Sequence, residues 1–130
     1  MNNQYKICDF GSAITSSVDF DSLSRKEKNK LTDYFDSNST LMYRSPEMIE
    51  PTGKVIGQAS DIWMLGCIAY LMVFRKHPFM GEGKLAILTG ISEYPSEGKM
   101  TDLVKSMLNI ATEERPSASK LIETIDRMRK

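Results

Sequence analysis

The chain has 130 residues, of which 41% are hydrophobic, and its 17 Lys and Arg residues balance 17 Asp and Glu residues. This length predicts one domain with a single core. The zero net charge gives no electrostatic reason to expect nucleic acid or an anionic membrane as a partner. Two cysteines, Cys8 and Cys67, are too few for a disulfide framework. With a polar start that lacks the apolar core of a signal peptide, they predict a cytoplasmic protein.

The first third of the chain predicts one strand and a long loop. Residues 4–10 are rich in β-forming side chains and predict a short strand that ends at Gly11. Residues 12–40 show no apolar period, so we expect a long loop, poorly ordered over 15–38 and solvated along the basic run at 25–30. A short helix is predicted from Pro46 to Glu50, because proline suits the first helical position.

The rest of the chain predicts helices. The longest runs from Gln58 to Arg75 and contains an uninterrupted apolar run, Ile62 to Phe74. That run is shorter than the ~20 residues of a bilayer span, so no membrane span is expected. Three shorter amphipathic helices follow at 83–91, 101–110 and 117–128.

Three short helices cannot cover every side of this long apolar helix, so we expect part of it to be exposed. An exposed apolar patch of that size favours self-association through residues 58–75. The side chains expected to contribute are some of Ile62, Leu65, Ile68, Leu71 and Met72.

Four short motifs occur in a fixed order. They are D-F-G at Asp9, T-L-M-Y-R-S-P-E from Thr40 to Glu47, S-D-I-W-M-L-G-C from Ser60, and E-R-P-S from Glu114. Each alone is typical of a turn, a cap or a helix start. Together, in this order and spacing, they resemble the second half of a protein kinase domain, from its DFG motif to its late arginine. The resemblance covers residues 5 to about 128 and implies a mainly α fold, a kinase C-terminal lobe with a short N-terminal strand and a long activation loop.

The details resemble the serine/threonine kinases, and within them the Numb-associated kinase group. Thr40 stands three residues before Tyr43, as in Ser/Thr kinases, and the D-F-G-S-A and A-S-D-I-W-x-L-G-C stretches are similar to that group. The resemblance implies an extra helix after Glu47. It also implies a division into a strand with DFG at 1–11, an activation segment at 12–47 and a helical C-lobe at 48–130. Ser45 replaces the alanine usual in the family.

The resemblance implies roles for residues near the nucleotide and the substrate. Asp9 would bind Mg²⁺, while Cys8, Phe10 and Gly11 would border the ATP site. Thr40 would help to place the substrate hydroxyl. For Cys8, a small buried hydrophobic side chain is an equally good interpretation.

Other residues would support this arrangement. Glu47 and Arg115 resemble the buried ion pair that ties the activation segment to the late helices. Asp61 would hold the backbone of the catalytic loop, although an acidic residue at a helix N-terminus is also stabilising by itself. Trp63 would pack in the core. Three hydroxyl side chains resemble acceptors of activating phosphates: Thr32, Ser37 and Ser39.

A kinase also needs a glycine-rich loop, a strand lysine with its glutamate partner and an H-R-D…N catalytic loop, which precede DFG in the family. This chain contains none of them. The resemblance therefore implies that the intact parent uses ATP and Mg²⁺ to phosphorylate Ser or Thr of protein substrates, while the chain alone is inactive and binds neither well. The alternative is a non-catalytic, pseudokinase-like or truncated interaction module. An in-frame H-R-D-x-K-x-x-N roughly 15–20 residues before Asp9 would favour the kinase, and a stop codon there the module.

Overall fold

The computed structural model describes residues 3–130, which form six helices and one two-stranded sheet. The helices and strands, in chain order, are β1 (Val18–Asp19), α1 (Arg25–Asn38), α2 (Pro46–Ile49), β2 (Val55–Ile56), α3 (Gln58–Phe74), α4 (Lys84–Thr89), α5 (Lys99–Met107) and α6 (Ala118–Arg129). The mainly α fold is confirmed. No helix over residues 3–130 is both long enough and apolar enough to cross a bilayer.

Helix α3 forms the centre of the core and packs mainly on α5. Gly66 makes the close approach possible, because a Cβ there would lie 2.9 Å from Cδ2 of Leu108 and 3.0 Å from Cβ of Met107. On this side of α3, Trp63 and Cys67 are completely buried. Helix α3 ends at Phe74, and its C-cap, Arg75, adopts a left-handed conformation with φ of 61°.

The opposite side of α3 is open, as expected. Leu65, Ile68 and Met72 are 48%, 44% and 70% exposed, and Leu71 is 37% exposed. Ile62 is the exception, since it is buried in a cluster with Leu103, Met107 and Leu121. The exposed side chains repeat at three- and four-residue intervals and therefore lie along one face of the helix. We call Leu65, Ile68, Leu71 and Met72 the open face of α3.

The strand expected at residues 4–10 does not form. Residues 3–9 have no regular structure and are exposed, with Tyr5 and Ile7 at 101% and 86%. A strand needs a neighbour to satisfy its backbone groups, and none of the described residues pairs with this segment. The sheet instead joins β1 and β2 in an antiparallel register that places Val18 opposite Ile56.

The prediction of a long loop over 12–40, poorly ordered over 15–38, is also wrong, because α1 occupies 14 of those residues. The helix begins with a capping box. The Glu27 amide donates to Ser24 Oγ (3.3 Å), and the Ser24 amide donates to the Glu27 carboxylate (2.8 Å). The extra helix expected after Glu47 is likewise absent from residues 50–57, which form a turn and β2. Helix α1 instead lies before Thr40, at Arg25–Asn38.

Candidate functional site

A buried ion pair joins Glu47 in α2 to Arg115, 68 residues later in the sequence. Arg115 Nη1 lies 2.7 Å from Glu47 Oε1, and Nη2 lies 2.8 Å from Oε2, so the pair is bidentate. Their side chains are 0% and 1% exposed. Such a charge-assisted fork is among the strongest hydrogen-bonded arrangements in proteins.

Further hydrogen bonds satisfy both members of the pair. Ser60 Oγ donates to Glu47 Oε1 at 2.7 Å, while Arg115 also donates to the carbonyl oxygens of Asn109 (2.7 Å) and Ala59 (2.8 Å). Burial by itself would raise the pKa of Glu47. The hydrogen bonds from Arg115 and Ser60 outweigh it and hold that pKa below its ordinary value. Glu47 is therefore a charged, fully paired group inside the fold.

Trp63 connects this ion pair to the apolar core. The Arg115 guanidinium lies 5.1 Å from the centre of the Trp63 ring, and Trp63 also stacks on Phe79, with ring centroids 5.6 Å apart and an interplanar angle of 10°. The Trp63 side chain is 0% exposed. The structure thus brings Glu47, Trp63 and Arg115 into one cluster.

A cavity of about 490 Å³ lies between α1, the segment after DFG and the N-terminal end of α3. Ser12, Thr40 and Asp61 line it together with Tyr34 and Met64. Thr40 and Asp61 are exposed to solvent. The candidate substrate-positioning residue and the candidate holder of the catalytic loop therefore face the same space.

The DFG residues lie outside this cavity on the surface. Asp9 has a left-handed backbone with φ of 65°, which is uncommon for a residue other than glycine. Cys8, Phe10 and Gly11 are exposed, and Phe10 is 68% accessible. Across residues 3–130 no three His, Cys, Asp or Glu side chains cluster as metal ligands. Among the described residues, Asp9 therefore does not belong to a group of three such side chains.

The three candidate phosphate acceptors lie on or at the end of α1. Thr32 is exposed, and its hydroxyl donates to the Lys28 carbonyl at 3.0 Å. Ser37 is exposed in the last turn, and Ser39 caps the helix. Sequence patterns alone did not indicate the polar residues of α1 that contact other segments. The Ser24-x-x-Glu27 capping box was the signal that predicts this helix.

The kinase assignment now has independent support. The family model described as the protein kinase domain matches residues 1–125. This chain belongs to the protein kinase domain family. The prediction made from DFG, the Thr40–Glu47 segment, the α3 motif and Arg115 is confirmed. An intact domain of this family uses ATP and Mg²⁺.

Curated proteins that are similar to this chain are kinases by name. The chain is 32% identical to a probable serine/threonine-protein kinase of Dictyostelium discoideum, with 98% of this chain and 16% of the relative aligned. It is 35% identical to actin-regulating kinase PRK1 of Saccharomyces cerevisiae, covering 95% of this chain and 16% of PRK1. It is 37% identical to actin-regulating kinase 1 of the same yeast, covering 98% of this chain and 20% of that kinase. The chain thus spans a fifth or less of the length of these relatives.

The single histidine of this kinase-family chain is buried beside the Thr40–Glu47 segment. His77 Nδ1 accepts a hydrogen bond from the Phe79 amide at 3.1 Å, and the ring meets Tyr43 edge-on with centroids 4.5 Å apart. Burial lowers the pKa of His77 below its ordinary value. The neutral imidazole is therefore the form that the fold accommodates.

This shift predicts that stability depends on His77 at mildly acidic pH. Because the pKa is lower in the folded state, the unfolded chain binds more protons. The contribution is fully present above the unfolded pKa of about 6.5 and is lost as the pH falls below that value toward the folded pKa. Urea unfolding at pH 7, 6 and 5 should show this loss, and His77→Asn, which keeps an acceptor for the Phe79 amide, should reduce it. Equal pH dependence in both proteins would contradict the prediction.

Proposed function

We propose that the chain is the C-terminal portion of a serine/threonine protein kinase domain, divided at 1–11, 12–47 and 48–130. Its complete form transfers the γ-phosphoryl group of ATP to Ser or Thr hydroxyls of protein substrates. The supporting observation is the shared cavity of Thr40 and Asp61, bordered by Ser12 immediately after the DFG motif. The D-F-G-S-A stretch supports membership in the Numb-associated group, and the free thiols of Cys8 and Cys67 support a cytoplasmic location.

In this proposal each site residue of the chain has one task. Asp9 contributes one carboxylate to Mg²⁺, and Cys8, Phe10 and Gly11 border the nucleotide. Thr40, which lines the cavity, places the substrate hydroxyl. The chain contains no H-R-D catalytic loop, no strand lysine and no second metal ligand of this family. We therefore expect residues 1–130 alone to show no turnover and only weak ATP binding.

The decisive experiment uses the protein encoded by the complete reading frame. Phosphorylation of Ser/Thr peptides should be measurable, and Asp9→Asn should lower it about a hundredfold or more, because a metal ligand is lost. Asp126→Asn, which changes an exposed carboxylate on α6, is the matched control. A complete protein without activity, or one indifferent to Asp9→Asn, would overturn the proposal and favour a non-catalytic interaction module.

The open face of α3 is the observation that favours the second candidate function, an interaction module. Large apolar patches on single chains usually mark an interface. A second copy of the chain offers the same face, so a symmetric contact can bury both, with or without exchange of elements between chains.

We predict that residues 1–130 self-associate through this face. Sedimentation at micromolar concentration should show a dimer or larger species. Leu65→Glu with Met72→Glu should return it to the monomer, since each reburied side chain is worth roughly 1.5–3 kcal/mol. Ile122→Glu, at a position 61% exposed on α6, should leave association unchanged. A wild-type chain that sediments as a compact monomer would contradict the prediction.

A further inference from the structure

We propose that α1 holds the two ends of the activation segment in place by separate tethers, one from Tyr34 to the DFG end and one from Asp36 to the substrate end. Tyr34 and Asp36 would then be positioning residues for the reaction. This inference rests on the proposed kinase function, and it adds two residues that act on different parts of the site.

The first tether reaches the residue directly after DFG. Tyr34 Oη donates to the backbone carbonyl of Ser12 at 2.7 Å, and Ser12 Oγ donates to Asn38 Oδ1 at 3.1 Å. Asn38 Nδ2 in turn donates to the Tyr34 carbonyl at 2.9 Å, which fixes the orientation of its amide. Tyr34 and Asn38 are four residues apart and share one face of α1. That face holds the backbone immediately beyond Gly11, three residues after Asp9.

The second tether passes through Arg44, which is only 9% exposed. Its Nη1 donates to Asp36 Oδ1 at 2.7 Å, while Nη2 and Nε donate to the carbonyl (2.9 Å) and hydroxyl (2.8 Å) of Ser39. A buried guanidinium requires such partners, because an unpaired charge inside a protein is strongly unfavourable. Ser39 immediately precedes Thr40. The hydrogen bonds of Arg44 to Ser39 and Asp36 therefore span Thr40 and connect the segment that contains Thr40 to α1.

Helix α1 makes these polar contacts with little apolar burial. Of its 14 residues only Phe35 is buried. Tyr34 and Asp36 are two positions apart and therefore point to different sides of the helix. One well-capped helix can thus hold both ends of the segment without either tether depending on the other.

The two tethers predict separable effects within the 130-residue chain. The Ala13 amide donates to the Phe10 carbonyl, and the Tyr43 and Arg44 amides donate to the carbonyls of Thr40 and Leu41, all at 3.0 Å. These three amides report the two ends by hydrogen exchange in NMR spectra. Tyr34→Phe should speed exchange at Ala13 roughly two- to tenfold and leave the other two amides unchanged.

The second variant should give the opposite pattern. Asp36→Ala should speed exchange at Tyr43 and Arg44 and leave Ala13 unchanged. Asp33→Ala, which changes another exposed acid on α1, is the matched control and should affect neither end. Alanine favours helix at both positions, so faster exchange cannot come from a weaker helix. If each variant loosens both ends, or neither end, the proposal is wrong.

Kinetics of the complete protein distinguish two separate tethers from a general loosening of the activation segment. Tyr34→Phe should raise the KM for Mg²⁺-ATP and spare the KM for the peptide, and Asp36→Ala should do the reverse, each by roughly two- to tenfold. Equal increases in both KM values would contradict the separation. A complete protein with no activity would overturn the proposed function, and the exchange pattern would then decide the tethers on its own.

Discussion

Arg115→Ala is expected to leave the chain largely unfolded. The substitution strands the Glu47 carboxylate, which is 1% exposed, without its bidentate partner. Breaking a buried pair in this way costs on the order of 3–5 kcal/mol. A domain of this size has only about 5–15 kcal/mol of stability in total. Thermal and urea unfolding, followed by circular dichroism, would measure the loss.

Two further variants identify the cause of the stability loss in Arg115→Ala. Arg127→Ala removes an arginine whose side chain is 71% exposed, and should change stability by less than about 0.5 kcal/mol. The double variant Glu47→Leu with Arg115→Met replaces both charges with apolar groups, and should recover much of the loss, because no buried charge is left unpaired. Unchanged melting of Arg115→Ala would show that the pair does not stabilise the fold.

Trp63→Ala is expected to cost about 3–5 kcal/mol, the range for removing a large aromatic side chain from a core. Trp63 is completely buried, stacks on Phe79 and lies against the Arg115 guanidinium. The substitution would therefore leave a new cavity beside both the apolar core and the Glu47–Arg115 ion pair. Urea unfolding would give the change in free energy.

Trp63→Phe provides the comparison within the same site. Over residues 3–130 the indole nitrogen of Trp63 has no hydrogen-bond partner. Removing its N–H therefore forfeits no hydrogen bond, and phenylalanine keeps a ring against Phe79. We expect Trp63→Phe to cost clearly less than Trp63→Ala. Equal losses would mean that the indole makes a polar contact that the fold requires.

Local patterns in the sequence predicted most of the helical lobe. Helix α3 was predicted from Gln58 to Arg75 and is found from Gln58 to Phe74, because its apolar run and its stop at His77-Pro78 are local signals. The three amphipathic helices after it were predicted within about two residues at most ends, for the same reason. The motif order also identified the family, and the resemblance paired Glu47 with Arg115.

Tertiary contacts decided the first third of the chain and the site. Residues 4–10 have strand-forming side chains, but a strand depends on a neighbouring strand, which is often distant in sequence. The sheet forms instead between β1 and β2, where Val18 pairs with Ile56, 38 residues later. Helix α1 carries a local capping box, yet it has almost no apolar stripe, so periodicity alone could not reveal it. The tethers from Tyr34 to Ser12 and from Asp36 to Arg44 depend on how the chain folds back on itself. Sequence by itself therefore determined the helices from α2 onward and the family of the chain, because those signals are local or shared within the family. Only the tertiary structure decided which polar side chains meet and which face of α3 stays open, because both depend on the packing of segments distant in sequence.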